Sequence, residues 1–238
     1  MAKSLNDWVT DDVMAVKDES VQWLSERYFF RDPPRPTYSD LSYFFSPADG
    51  IVLYQRVVKG DEPLVEIKGR SYSLREAMRD PAYDRPSLVI GIFMTFYDVH
   101  VNRVPYPGIL SYRWLDPIDT YNHPMLSIEQ RLLEELRVSL DDATYLHYNQ
   151  RMLNRIDAVA LGQPYFVLQI ADYDVDCIVP FDVRQHRPRR QGERFSQIRF
   201  GSQVDLIVPL SDQYELDVLQ EVGSHVEASV DPLVKVSR

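Results

Sequence analysis

The chain has 238 residues, of which 45% are hydrophobic and 12% aromatic, enough apolar side chain for a packed core and too much for a disordered segment. Its formal charge of −10 excludes a general nucleic-acid binder, which needs surplus Lys and Arg against phosphate, and disfavours broad adsorption to anionic membranes. The single cysteine, Cys177, excludes an internal disulfide, and no Cys/His grouping has zinc-site spacing, so no metal is expected and a reducing, cytoplasmic setting fits.

Residues 1–30 contain neither a signal-peptide apolar block nor the about 20 uninterrupted apolar residues of a membrane span, so a soluble or peripheral protein is expected. Over 11–28 the residues Val13, Val16, Leu24 and Tyr28 share one stripe, which predicts an amphipathic helix opened by Asp11 and Asp12. Pro33, Pro34 and Pro36 end it. Short runs rich in β-branched and aromatic residues then predict strands over 51–58, 87–96, 109–114, 165–170, 175–179 and 204–208. Two helices interrupt them, each opened by a capping box, Ser73 with Glu76 and Ser127 with Gln130. The second carries the stripe Ile128, Leu132, Leu136 and Leu140. With no long flexible linker, the expectation is a single α+β domain over 1–238, β-rich, with antiparallel or mixed sheets and a few peripheral helices.

Three segments carry the residue types of a reactive site. In Ser46-Pro47-Ala48-Asp49-Gly50 a proline and a glycine bracket an aspartate and fix the backbone around it. Alone, it also reads as a turn in which Asp49 bonds its own backbone. The segment 93–105 ends an apolar run with Asp98-Val99-His100-Val101-Asn102-Arg103, where strand periodicity sets Asp98, His100 and Asn102 on one face. His100 there can shuttle protons near neutrality, or be structural. In Phe200-Gly201-Ser202-Gln203 the glycine leaves its own carbonyl unshielded. The Ser202 hydroxyl can then attack it, form an ester and undergo β-elimination to dehydroalanine, which hydrolyses to a pyruvoyl group as the chain breaks. A simple bulge is the other reading of a Gly-Ser pair.

Together, Ser-Pro-Ala-Asp-Gly at 46–50, Asp-Val-His-Val-Asn-Arg at 98–103 and Arg-Phe-Gly-Ser at 199–202 resemble the phosphatidylserine decarboxylase family, in particular its short form. Supporting matches run from Tyr28-Phe29-Phe30-Arg31-Asp32-Pro33 to Gln191-Gly192-Glu193-Arg194. The resemblance implies that Ser202 becomes a covalent pyruvoyl cofactor, in place of pyridoxal phosphate and without a metal. His100 would act as base and Asp49 as orienting carboxylate in self-cleavage. Cutting between Gly201 and Ser202 would leave a β chain 1–201 and an α chain 202–238 that stay associated. The mature protein would decarboxylate an amino-bearing carboxylate, phosphatidylserine to phosphatidylethanolamine, through a Schiff base. Phe93, Met94, Phe96, Asn102 and Arg103 are the expected substrate-binding residues, although the apolar ones equally suit core packing. Homo-oligomerisation is left open, and nucleic acid is not an expected partner.

Several stretches depart from the family pattern. Membrane-bound members carry apolar N-terminal segments, whereas this N-terminus is charged, which keeps open the same chemistry on a soluble amino acid or its derivative. A non-cleaving binding homologue is the further alternative. Asp172-Tyr173-Asp174-Val175-Asp176 would, if extended, present carboxylates on one face, for a cation or for solvent. The dense basic loop Arg184-Gln185-His186-Arg187-Pro188-Arg189-Arg190 suits phosphate or an anionic lipid surface, or is a solvated hairpin tip. The stretch 127–140 reads as an insertion.

Overall fold

Antiparallel strands are the dominant regular element, and the central ones are buried along their whole length. A computed structural model describes residues 2–37, 39–173, 176–199 and 203–237. The strands of the first half are β1 (Lys3–Ser4), β2 (Tyr43–Phe45), β3 (Gly50–Val58), β4 (Pro63–Ile67), β5 (Arg70–Ser73), β6 (Ser87–Phe93), β7 (Val101–Arg103) and β8 (Gly108–Leu115). Those of the second half are β9 (Arg151–Ala158), β10 (Gln163–Ile170), β11 (Ile178–Pro180), β12 (Arg187–Arg189), β13 (Arg194–Ile198), β14 (Gln203–Pro209), β15 (Glu215–Val218), β16 (Ser224–Val226) and β17 (Pro232–Ser237). The main sheet has nine strands in the order β1-β16-β3-β6-β14-β10-β9-β8-β12, and each pair in it is antiparallel. Two three-stranded sheets, β11-β13-β7 and β15-β17-β2, and the hairpin β4-β5 pack around it.

The middle of the main sheet is apolar on both faces, and each face has its own core. Along β6, Val89 and Phe93 enter one cluster while Leu88, Ile90 and Ile92 enter the other. Removing such a side chain from water stabilises the fold by about 1.5–3 kcal/mol each. Strand β14 repeats the alternation, with Ile207 on the first face and Val204, Leu206 and Val208 on the second. The fold is the expected β-rich α+β domain, and the runs at 51–58, 87–96, 109–114, 165–170 and 204–208 all fall on strands, the second of them ending early at Phe93. Position 175 of the run at 175–179 lies outside the described residues, and the strand there starts only at Ile178.

The helices differ more from expectation. No continuous helix covers 11–28. Helix α1 (Leu5–Trp8), capped by Ser4, runs into π-helical turns over Val9–Val13, and α2 (Val21–Trp23) runs into a second such segment over Leu24–Tyr28. Asp11 and Asp12 therefore sit inside a helical segment, where Asp12 pairs with Lys3 at 2.6 Å. The Ser73 cap is present at the start of α3 (Leu74–Met78), its hydroxyl accepting from Glu76 N–H. Helix α4 (Leu126–Glu134) begins at Met125, so Ser127 lies within its first turn and is no cap. Its buried stripe stops at Ile128 and Leu132, because Leu136 takes a left-handed φ of 50° and breaks the helix. A last short helix, α5 (Tyr145–Tyr148), precedes β9.

Candidate active site

Strand β6 ends at Phe93, and the polar segment that follows folds back on itself. The Asp98 carboxylate accepts from both Thr95 N–H, at 2.7 Å, and Thr95 Oγ, at 2.8 Å, which closes a tight turn. Its other oxygen, Oδ1, lies 2.7 Å from Nε2 of His225 on β16, whose ring is stacked on Trp8 with centroids 4.6 Å apart. Burial pushes the Asp98 carboxyl up, but the charge and hydrogen bond of His225 and the two Thr95 bonds outweigh it and hold the pKa below the usual carboxylate value. Burial likewise lowers His225, and the facing Asp98 carboxylate more than reverses this. The pair is a buried ion pair.

The backbone of the same turn sets the state of His100. Its Nδ1 lies 3.0 Å from the Asp98 carbonyl oxygen, which can only accept, so Nδ1 carries the proton and Nε2 presents a lone pair. The ring is fully buried and stacked on Phe29 at 3.8 Å. Burial lowers its pKa to about 4, against the attraction of Asp98, so the imidazole is neutral at physiological pH. Nε2 has no hydrogen-bond partner among the described residues. A buried ring nitrogen left this way is uncommon in folded proteins, and among the described residues His147 Nε2 shares the condition.

The backbone of His100 also points to the next segment. Its carbonyl accepts from Ile198 N–H at 3.1 Å, at the end of β13. The chain then passes Arg199 and re-enters the main sheet as β14 at Gln203, paired with Ile170. Gly201 and Ser202 lie between these two anchors in sequence and outside the described residues.

Asp49 does not bond its own turn. Ser46 does so, its hydroxyl donating to Ala48 O at 2.6 Å, and Gly50 is required because a Cβ there would meet Phe93 O at 2.2 Å. The Asp49 carboxylate instead accepts from Arg35 at 2.7 Å and from Ala228 N–H at 2.7 Å. Burial raises its pKa to about 6 in spite of both. No hydrogen bond joins Asp49 to His100 among the described residues; only their segments are linked, by the Pro47 carbonyl accepting from Arg103 N–H at 2.9 Å.

The other expected site residues separate. Phe93 and Met94 are buried in the two opposite cores. Phe96 is partly exposed and packs on Phe29 with centroids 5.4 Å apart. Asn102 is buried and accepts from Gln169 at 2.6 Å. Arg103 is held by Asp32 at 2.7 Å and the Gly192 carbonyl at 3.1 Å. Of the acidic run, Asp172 accepts from Met125 N–H and Asp176 from Gln150, and Asp176 has a left-handed φ of 56°, so that stretch is not simply extended. Among the described residues no group of three metal-binding side chains occurs.

Several groups at the site had no motif to reveal them. Glu129 of α4 accepts from Phe96 N–H at 2.7 Å, and burial raises its carboxyl to about 7, so α4 is fastened to the segment that leads to His100. Beside the start of β14, Tyr145 donates to Gln203 at 2.6 Å, while Gln203, at 2.7 Å, and Tyr54, at 2.9 Å, both donate to Asp205. Tyr54 reaches Asp205 by lying over Gly91, where any Cβ would meet its ring at 2.4 Å. Burial raises Asp205 to about 6 against these bonds. The only signal in sequence was the presence of polar residues inside apolar strands.

The candidate site is thus a buried, neutral His100 whose backbone is bonded to the end of β13, inside a β-rich α+β domain, and proteins similar to this chain are named as decarboxylase proenzymes. The sequence profile of the phosphatidylserine decarboxylase family matches residues 27–231, and the chain belongs to that family. It is 32% identical over 214 residues to a Methanopyrus kandleri protein provisionally named archaetidylserine decarboxylase proenzyme, covering 89% of this chain and 82% of that protein. It is 33% identical over 183 residues to the phosphatidylserine decarboxylase proenzyme of Erythrobacter litoralis, covering 76% of this chain and 62% of that protein's length. With the proenzyme of Syntrophus aciditrophicus the identity is 29% over 206 residues, 87% and 77% of the two chains. No helix among the described residues is long and apolar enough to cross a membrane.

Proposed function

We propose that the chain is a proenzyme that cuts itself between Gly201 and Ser202 and then releases carbon dioxide from a serine-headed lipid, turning phosphatidylserine into phosphatidylethanolamine. The observation that carries this reading is the buried, neutral His100, which has an unpartnered Nε2 and whose backbone is bonded to the strand end that precedes Gly201-Ser202 in sequence. The proenzyme names of the relatives support it, and those names share the serine headgroup while differing in the rest of the lipid.

In self-cleavage His100 Nε2 takes the proton of Ser202 Oγ as that oxygen attacks the Gly201 carbonyl carbon. The acyl group moves from nitrogen to oxygen, and β-elimination releases residues 1–201 with a terminal carboxylate. Water then adds to the dehydroalanine at 202 and ammonia leaves. The products are a β chain 1–201 and an α chain 202–238. Asp49 acts as an orienting group through Arg35 and Ala228, tying the two parts together behind the histidine.

The pyruvoyl group so formed supplies the electron sink for decarboxylation. The described residues fit such a group, since an orphaned imidazole nitrogen faces no other partner among them and the Gln203-Tyr54-Asp205 cluster holds the adjacent strand rigid. His100 Nε2 takes a proton from the ammonium group of the bound substrate and delivers it to the carbon that loses carbon dioxide. Phe29 covers the His100 ring and Phe96 packs on Phe29, and Phe96, partly exposed, is the member of the expected set available to a substrate. Asn102 and Arg103 act by shaping the wall.

Intact mass measurement tests the first half: two fragments, the smaller with a blocked N-terminus, are expected, and Ser202→Ala should remain whole. Carbon dioxide release from phosphatidylserine vesicles, compared with free serine, tests the second. A wild-type chain that stays uncut, or one that acts on free serine alone, refutes the corresponding half.

A further inference from the structure

The basic loop singled out in the sequence plays no part in the chemistry above. It leaves β11, runs through 181–190 and returns as β12 along the outer edge of β8. Phe181 is 47% exposed and Val183 79% exposed, on either side of Asp182. Arg189 is consumed internally by Asp182 and Glu193. Arg184, Arg187 and Arg190 are exposed and make no ion pair among the described residues. Gln185 accepts from Tyr112 N–H at 2.8 Å, which fixes the loop beside Trp114, itself 42% exposed.

Unpaired guanidinium groups interleaved with exposed apolar side chains and an edge tryptophan have the chemistry of a bilayer interface. Arginines attract anionic headgroups, and Phe, Val and Trp enter the boundary below them. The local sign is opposite to the −10 of the whole chain, so the attraction is confined to this edge and orients the molecule. The loop also lies on the sheet that serves the site. Phe181 N–H donates to Phe195 O on β13, and β13 ends at Ile198, bonded to His100. From Phe181 back to the register of Ile198 is about 10 Å along β11.

We propose that loop 181–190, with Trp114, is a docking surface for anionic phospholipid bilayers that sets the reactive site next to its lipid substrate. The proposal builds on the lipid reading, but its test does not depend on it, because phosphatidylglycerol is anionic and carries no serine.

The experiment is co-sedimentation of the full chain with phosphatidylcholine vesicles, with and without phosphatidylglycerol. Wild type should bind only the anionic vesicles and be released by salt. The triple variant Arg184→Gln/Arg187→Gln/Arg190→Gln should lose roughly 100-fold in vesicle affinity at an unchanged melting temperature. Val183→Asp should weaken binding without altering the arginines. Equal binding by wild type and the triple variant, or no preference of wild type for anionic vesicles, overturns the proposal. Loss of decarboxylation on bilayers with retention on monomeric short-chain substrate would add that docking serves catalysis; inactivity of wild type on both would refute the lipid reading and leave the docking result standing.

Discussion

His225 Nε2 and Asp98 Oδ1 lie 2.7 Å apart although 127 positions separate them, and both side chains are buried. The contact joins the two parts that the proposed cut would create. It also fixes the turn whose carbonyl sets the His100 tautomer.

Breaking this pair should be expensive. His225→Ala or Asp98→Asn is expected to lower unfolding stability by about 3–5 kcal/mol, because the remaining charge is left buried and alone. Denaturant midpoints measure this, and a change within error would show that the pair contributes nothing. Asp98 is depressed, so its share of stability is full above its unfolded value of about 3.9 and lost as pH falls. His225 is raised, so its share is full below about 6.5 and lost as pH climbs through the folded value. Their joint contribution is largest between roughly pH 4 and 6.5.

His100→Ala should leave mostly uncut chain on a denaturing gel. Because burial lowers the His100 pKa to about 4, the base is already free at neutrality, and wild-type self-cleavage should not slow at pH 6 through loss of this base. A rate that halves near pH 6.5 in step with His100 titration, followed by NMR, would contradict the assignment.

Asp49→Asn should separate stability from processing. The folded-state pKa is raised to about 6, so ionising the group costs stability as pH rises through that value. The amide is expected to preserve or raise the melting temperature at pH 8 while slowing self-cleavage, since Arg35 keeps Glu227 at 3.0 Å and loses its grip on the turn. A variant that cuts at the wild-type rate removes Asp49 from the mechanism.

Tyr54→Phe deletes a donor to Asp205 and should cost about 1–3 kcal/mol by leaving a buried carboxyl short of a partner. Gly91→Ala should do comparable damage from the other side, by pushing the ring away. Thermal melts of both variants check this, and wild-type melting would mean that the cluster is slack.

The two turns of the proposed site were legible because their contacts are local in sequence: Asp98 and His100 are bonded within one turn, and Ser46 to Gly50 form another. Strands with β-branched runs were equally plain. Strand β9 was missed because Arg151 and Asn154 interrupt its pattern; both are buried, with Asn154 Nδ2 donating to Val167 O at 3.0 Å and Arg151 donating to the carbonyls of Asn149, Ala77 and Leu146. His225 was invisible for the opposite reason, since its neighbours Ser224 and Val226 carry no motif and its partner arrives only through sheet pairing. The helix over 11–28 failed where its stripe had to continue through residues 14–19, which form turns.

Strand β14 sits in the middle of the nine-stranded sheet, between β6 and β10, and it belongs to the smaller of the two proposed fragments. That arrangement imposes an order of events on biogenesis. The sheet must be assembled while the polypeptide is still one piece, because a large fragment made alone would expose two long unpaired ladders flanking an empty slot, the usual template for aggregation. The proposed scission would therefore be a maturation step performed on a finished scaffold, and the two segments translated from separate messages would not be interchangeable with the severed precursor.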